Sequence, residues 1–343
     1  MWGVDLARFS FDGNLTWAVM FTNADGTVYG RYGSRFDHDA TRTISAPAFK
    51  AAMRHALELH AGYPSNADAL AGKRPPAPAW PTPDQLPGHA GRFEQGDTSR
   101  TGCIHCHWVD AGMLKSHWLA GNEITDDMLW SYPSPELLGL GLDPTQRATV
   151  ATVRSGSEAD RAGFAPGDRL VSLDGQPMVS IADVAWVLHH AQAPGTLPAV
   201  VSRGDQQLDV ELALPAQWRR RAGFNWSGGV WWLRPGIHSR ELPAERRQAL
   251  GLGGDELALE VLETHEEWGT VATAPNSARH SGLQRGDVIV ELDGDDRRRT
   301  ESEFIAWFWQ TTQPGQKVRL GVLRQGEPTS VDVHMPLPDR RGR

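Results

Sequence analysis

The chain has 343 residues, of which 40% are hydrophobic and 22% are charged, and its formal net charge is −8. This length predicts two or three folded domains, and the composition is that of a globular protein rather than a disordered or fibrous one. The acidic balance excludes a nucleic-acid partner, because phosphate binding needs a basic surface. We also expect no transmembrane segment and no signal peptide, since no apolar run is long enough and Met1–Met20 is interrupted by charges.

The first 60 or so residues predict a β-hairpin followed by a helix. Two β-rich runs, Leu15–Phe21 and Thr27–Tyr32, lie on either side of the turn sequence NADG. Ser45 and Pro47 then provide a helix cap and an early proline before the helical run Ala48–Leu59. This order resembles the second half of a thioredoxin fold, so residues 1–62 are predicted to be a partial thioredoxin-like domain without the half that carries the redox CxxC.

Residues 63–135 are rich in proline, glycine and small polar residues, and they are predicted to be a partly extended linker. Both cysteines of the chain lie in this linker, in a CxxCH pattern of the kind that attaches c-type haem. Cys103 and Cys106 would form the thioethers, and His107 would be the proximal iron ligand. The candidates for the sixth iron ligand are Met113, His117 and Met128.

Three other interpretations of the CxxCH segment stay open. Two cysteines beside histidines suit a thiol–disulfide couple. Thiolate and imidazole also suit copper or zinc, and the candidate ligands are then Cys103, Cys106, His105, His107 and His117. The last interpretation is a structural disulfide, or inert thiols with no cofactor. All but the inert interpretation favour an oxidising compartment, so we expect a periplasmic or cell-envelope location.

A long repeat dominates the second half of the chain. Arg161–Gly175 reappears as His280–Gly294, with a constant offset of 119 residues (282 − 163 = 119). In each copy a glycine ends a short helix, a Gly-Asp pair turns the chain, and an alternating apolar strand leads to an Asp-Gly turn.

Further predicted elements flank each copy. Upstream strands are predicted at Ala148–Val153, Leu257–Val261 and Gly269–Ala272, and downstream helices at Ile181–Ala191 and Glu301–Gln310. Two strands follow each helix, at Pro198–Ser202, Gln207–Leu214, Lys317–Leu323 and Thr329–Met335. Both copies resemble the PDZ domains of envelope proteases of the high-temperature-requirement type, which implies two partly open β-barrels at residues 136–216 and 256–338.

The PDZ resemblance implies that an extended peptide or protein C-terminus binds beside one strand, under a glycine-rich loop that holds its carboxylate. In the first copy the loop and strand candidates are Leu138, Gly139, Leu140, Gly141 and Leu142, and the facing helix offers Val184, Val187 and Leu188. In the second copy Leu257–Val261 has no glycine and contains Glu260. The second module is therefore expected mainly to support the first.

Residues 217–255 form a tryptophan-rich connector, and residues 339–343 form a basic tail. Trp218, Trp226, Trp231 and Trp232 lie near Arg219–Arg221, which predicts core packing between the modules, with a binding surface or a haem wall as the alternative. Ser239–Leu250 is predicted to be a helix that ends at Gly251.

The whole chain resembles a bacterial group in which a thioredoxin-like domain precedes PDZ modules and in which some members carry selenocysteine. An upstream UGA codon read as a stop would then place the apparent start at Met1; the alternative is that Met1 is the true start. The predicted fold class is α+β and multidomain.

Three functions follow from this combination. The first is an envelope-associated, redox-linked adaptor with haem c and an electron-transfer partner. The second is a thiol-redox protein whose catalytic half lies upstream, and the third is a scaffold without redox chemistry. The sequence contains no serine-protease nucleophile motif, so no catalytic residue is predicted.

Overall fold

A computed structural model of the chain describes residues 1–15, 17–89, 93, 103–224, 234–265 and 278–335. The strands are β1 (Val19–Thr22), β2 (Val28–Tyr32), β3 (Leu140–Leu142), β4 (Val150–Val153), β5 (Arg169–Leu173), β6 (Gln176–Pro177), β7 (Gly195–Arg203), β8 (Gln206–Leu214), β9 (Ile237–Glu241), β10 (Leu259–Thr264), β11 (Val288–Leu292), β12 (Lys317–Arg324) and β13 (Glu327–His334). The α-helices are α1 (Ala46–Ala61), α2 (Ala67–Leu70), α3 (Cys106–Leu119), α4 (Asp126–Leu129), α5 (Glu158–Ala162), α6 (Ile181–His190), α7 (Ala244–Ala249) and α8 (Glu301–Thr311). None of the helices in these ranges is long and apolar enough to cross a membrane.

The chain forms two compact units, and each unit combines separate stretches of sequence. The first unit contains Gly3–Thr82 and Asp126–Ala222, and the second contains Met1–Trp2, Pro83–Thr125 and Gly223–Arg343. Each unit therefore joins one copy of the repeat to a segment from the first 125 residues. This grouping differs from the linear series of domains that the sequence suggested.

The predicted hairpin and helix of the first unit are confirmed. β1 and β2 pair antiparallel, with Val19 opposite Tyr32. The Ser45 hydroxyl accepts a hydrogen bond from the Ala48 N–H and so caps α1. The buried face of α1 packs against Tyr32 and Val179, and Val179 lies directly before α6. The likeness of this region to half of a thioredoxin fold stays a prediction.

The repeat in the first unit forms two small antiparallel sheets around α6. One sheet has the strand order β6-β5-β7-β8, and the other pairs β3 with β4. One face of α6 fills the core between them, and Trp218 closes the core from the connector. Trp218 is thus a core residue of the first module, whereas packing between the modules stays a prediction and Trp226, Trp231 and Trp232 lie outside the described residues.

One buried carboxylate attaches residues 3–82 to α6. Asp183 Oδ1 lies 2.8 Å from Lys73 Nζ, and both side chains are fully buried. Asp183 also accepts hydrogen bonds from the N–H groups of Val179 and Ser180, which completes the capping box of α6. Gly30 allows β2 to lie close to Val179, because a Cβ atom at Gly30 would be 2.6 Å from the Cβ atom of Val179. The attachment therefore depends on a charge pair that is shielded from water.

The second unit has one sheet, with the strand order β13-β12-β11-β10-β9, and α8 packs against it. Residues 106–119 were predicted to be linker, and that prediction is wrong, because α3 is a helix of 14 residues. Its Trp118 indole N–H donates to the Thr312 carbonyl at 2.8 Å, and its ring meets Trp309 edge-on. The helix predicted at Ser239–Leu250 is also wrong at its start, because residues up to Glu241 belong to β9.

The Gly-Asp motif of the repeat has the same role in both units. Asp168 is fully buried and receives two hydrogen bonds from Arg203, at 2.7 and 2.8 Å, while Arg203 also donates to the Gly163 carbonyl. Asp287 and Arg324 make the equivalent contacts in the second unit, and Arg324 reaches the Gly282 carbonyl. In each unit, one bidentate arginine thus connects the aspartate of the motif with the glycine that precedes it by five residues.

Replacing Lys73 by methionine should lower the free energy of unfolding by about 3–5 kcal/mol, because the buried Asp183 carboxylate would lose its cation. Chemical denaturation followed by circular dichroism measures the change. Lys50→Met, at an exposed position of α1, is the matched control and should stay within about 0.5 kcal/mol of the parent protein. Equal stability of the two variants would contradict the role assigned to Lys73.

Stability should fall in acid partly through Asp168. Its hydrogen bonds with Arg203 hold the pKa of the Asp168 carboxyl below its usual range. This contribution is fully present above the unfolded-state pKa of about 4 and is lost as the pH falls through the lower folded-state pKa. Asp168→Asn removes the titration, so the difference in urea midpoint between parent and variant should be large at neutral pH and shrink in acid. The exposed Asp209→Asn control should show no such convergence.

Candidate functional site

The predicted peptide-binding loop lies at the start of β3. Pro135–Leu138 form a 3-10 turn that Ser134 caps, and Gly139 follows in the left-handed region with φ of 84°. A side chain at Gly139 would collide with the Ser157 hydroxyl, because its Cβ atom would lie 2.1 Å from that oxygen. The Gly139 N–H donates to the Glu136 carbonyl at 3.0 Å, so the loop is a closed turn.

One edge of β3 is available for strand addition. β4 pairs with the other edge, with Leu140 opposite Val153 and Gly141 opposite Thr152. Within the described ranges no strand pairs with the second edge of β3. An unpaired edge of this kind offers backbone N–H and C=O groups to an incoming extended peptide.

Two arginines give the loop a positive environment. Arg154 and Arg221 each donate a hydrogen bond to the Leu137 carbonyl, at 3.2 and 3.3 Å. Arg221 also pairs with the Glu158 carboxylate at 3.0 Å, so that carboxylate offsets its charge. Arg154 is exposed and lies beside the loop, where it can attract a ligand carboxylate. The sequence interpretation missed Arg154, although its position directly after the β4 run was visible.

The structure places the predicted helix residues in the core rather than at a groove. Val184, Val187 and Leu188 are buried in the same apolar cluster as Leu138 and Leu140. A different face of α6 lines a small cavity, whose wall includes Ala182, Ala185, Tyr132 and residues of the N-terminal hairpin.

A second glycine loop, which the sequence interpretation missed, begins β9. Gly236 has φ of 71°, and its carbonyl accepts the His265 N–H at 2.8 Å, as the Gly139 carbonyl accepts the Arg154 N–H at 2.9 Å. β9 pairs with β10 in the register in which β3 pairs with β4, including the bulge.

The second module was aligned wrongly because its connection to the repeat is longer. Val150 and Val261 make equivalent backbone hydrogen bonds to Asp168 and Asp287, yet they are 111 residues apart (261 − 150 = 111), whereas the repeat has an offset of 119. Leu257–Val261 therefore corresponds to β4 rather than to the loop. Glu260 does not face a ligand, since Arg240 and Arg246 bind its carboxylate and lower its pKa. The predicted strand Gly269–Ala272 lies outside the described residues.

The CxxCH segment leads into α3 in the second unit. Cys103 is exposed, and Cys106 is the first residue of the helix. Burial raises the pKa of the Cys106 thiol, which opposes the activation expected of a reactive thiol. The rings of His105 and His107 stack with centroids 5.7 Å apart, and burial together with His105 lowers the pKa of His107. Both effects favour the neutral form of the His107 imidazole.

The structure does not bring the predicted iron and metal ligands together. His107, Met113 and His117 all lie on α3, where the ten residues from His107 to His117 span about 15 Å along the helix axis. Met128 belongs to α4 in the first unit. Among the described residues no group of three or more histidine, cysteine or acidic side chains could hold a metal ion. Haem c, copper and zinc stay predictions.

Comparison with known proteins decides the nature of the first module. Residues 135–214 match the family model of the PDZ domain. These residues form a PDZ domain. The match confirms the fold predicted for residues 136–216, and it places the Gly139 loop and α6 within this PDZ domain.

Curated relatives share part of the chain. The probable periplasmic serine endoprotease DegP-like of Hahella chejuensis is 28% identical over 234 residues, which cover 65% of this chain and 44% of that protein. Its counterpart in Ectopseudomonas mendocina is 29% identical, over 63% of this chain and 42% of that protein. The chain thus spans less than half the length of these relatives. Among solved structures, the HtrA-type protease AlgW with a decapeptide is 18% identical over 41% of this chain and 48% of that chain, with a TM-score of 0.25.

The two cysteines should differ in their reaction with iodoacetamide. The single-thiol variant Cys103→Ser, which keeps the partly buried Cys106, should react more slowly than Cys106→Ser, which keeps the exposed Cys103, because the raised pKa of Cys106 leaves less thiolate at neutral pH. Mass spectrometry of timed samples gives both rates. Faster reaction of Cys106 would indicate an activated thiol and would favour the thiol-redox interpretation.

Proposed function

We propose that the protein is an envelope-associated adaptor that binds the C-terminal residues of peptides or proteins through its PDZ domain. The single observation that carries this proposal is the unpaired edge of β3 directly after the Gly139 turn. An extended peptide can add to this edge as a further strand, and backbone hydrogen bonds then supply affinity without regard to sequence.

The charges around the loop support a ligand with a free C-terminal carboxylate. Arg154 projects from the end of β4 to the Leu137 carbonyl, and none of the described contacts pairs it with a carboxylate. A C-terminal carboxylate near the Gly139 turn would form a charge-assisted hydrogen bond with this guanidinium.

The PDZ domain at residues 135–214 supports a binding function, and binding is the function that we propose. The curated relatives are described as probable periplasmic serine endoproteases, but this chain spans less than half of their length and contains no serine-protease nucleophile motif. Their description supports a periplasmic or envelope location for this protein. The redox-linked part of the predicted function gains no support from the contacts around Cys103 and Cys106, and it stays a prediction.

The proposal is tested with decapeptides that end in leucine and are anchored by their N-termini, presented once with a free carboxylate and once as the C-terminal amide. The full chain should bind the free acids and lose most of this binding to the amides. Arg154→Gln should weaken binding of the free acids about 5- to 15-fold, since one charge-assisted hydrogen bond is lost. Arg169→Gln, an exposed arginine on β5, is the control and should bind like the parent. Equal binding of acids and amides would refute carboxylate recognition.

A further inference from the structure

The N-terminal region, residues 3–82, holds the PDZ domain at two separate places. The first is α6, where the attachment is buried. Besides the Lys73–Asp183 pair, the Arg31 guanidinium lies 3.4 Å from the centroid of the Trp186 ring, and the Trp186 indole donates to the Gly72 carbonyl at 3.0 Å. The Ser180 hydroxyl donates to the Arg31 carbonyl. These contacts fix β2 and the chain after α2 against the helix.

The second place is the strand that would receive the peptide. Arg42 Nη2 lies 3.3 Å from Glu136 Oε2, just before the Gly139 turn. The Ser45 hydroxyl donates to the Pro144 carbonyl at 2.7 Å, just after β3 ends. The segment 42–45, which we call the strap, therefore reaches both ends of β3. β4 occupies one edge of β3, and the region that carries the strap is fixed on α6.

We propose that the strap is an intramolecular gate that competes with peptide for the free edge of β3. This inference rests on the proposed function, because the edge that it covers is the one assigned to peptide binding. The closed turn of the loop agrees with a gate in its shut state, since the Gly139 N–H is already bonded to Glu136, the residue that Arg42 holds.

The two attachments differ greatly in strength, and this difference determines which one opens. Lys73 and Asp183 are fully buried, and breaking such a pair leaves a charge without a partner inside the protein. The side chains of Arg42 and Glu136 are 43% and 52% exposed, and exposed pairs of this kind contribute little. A peptide can therefore displace the strap at small cost while the rest of the N-terminal region stays on α6.

Charge reversal at Arg42 is the cleanest test. Ser45 also caps α1, so its replacement would perturb the helix, whereas Arg42 is exposed. Arg42→Glu places like charges at the strap and the loop, and the double variant Arg42→Glu with Glu136→Arg restores attraction. Arg54→Glu, at an exposed position of α1, makes the same change in net charge away from the strap.

Hydrogen–deuterium exchange of the full chain provides the first readout and needs no ligand. Exchange of residues 139–143 should rise about two- to fivefold in Arg42→Glu and return toward the parent in the double variant, while residues 317–334 serve as the internal reference. Unchanged exchange at residues 139–143 would overturn the gate.

The second readout is fluorescence anisotropy with a labelled decapeptide that ends in two leucines and has a free carboxylate. Arg42→Glu should bind it about two- to fivefold more tightly than the parent or Arg54→Glu. The double variant is compared by exchange alone, because Glu136 belongs to the loop. Raised exchange with unchanged affinity would overturn the competition. Raised exchange without peptide binding by any variant would instead refute the proposed function, while still supporting the strap.

Discussion

The carboxylate of Asp183 is the contact on which the first unit depends. It accepts hydrogen bonds from the backbone N–H groups just before α6. It also forms an ion pair with the buried ammonium group of Lys73. A side chain of similar shape, such as asparagine, would lose either the ion pair or one of the hydrogen bonds to the backbone. Together with the contacts of Trp186 to Arg31 and Gly72, this group joins a hairpin from the start of the chain to the PDZ helix.

The two units use a common framework with different early segments. A bidentate arginine holds the buried aspartate of the Gly-Asp motif in each unit, and a left-handed glycine precedes the first strand in each. The early segments that join them have unrelated structures. In the first unit a hairpin and α1 pack near α6, and in the second unit α3 reaches α8 through Trp118. Each copy of the repeat thus packs with a different early segment of the same chain.

Local patterns explain what the sequence could predict. The repeat, the hairpin, α1, α6 and α8 follow from residues that are close together in the chain, such as Ser45 before its helix. The register of the second module could not be read from the repeat offset, because longer connections between β9 and β10 and after β10 move Gly236 away from the position that the offset indicates. Val184 was predicted to face the peptide groove but is buried in the core. Which side of α6 faces the core depends on segments that are far away in the sequence.

The linker prediction is wrong at α3, because residues 63–135 are rich in proline and glycine as a whole but contain a stretch with helical spacing. Prolines dominate residues 75–83, yet Ala111, Leu114 and Trp118 further along are spaced three and four residues apart and are buried. The chemistry of the cysteines likewise depends on the solvent around each thiol, and a CxxCH pattern carries no information about that.

The alternation of segments between the two units has a consequence for how the protein is made. Residues 3–82 belong with 126–222, and residues 83–125 belong with 223–343. Lys73 precedes Asp183 by 110 residues and Trp118 precedes Thr312 by 194, so each early segment waits for these contacts while the ribosome adds about 5–20 residues per second. For several seconds the nascent chain therefore exposes apolar side chains of both segments. The first unit can fold while the ribosome is still adding residues of the second unit.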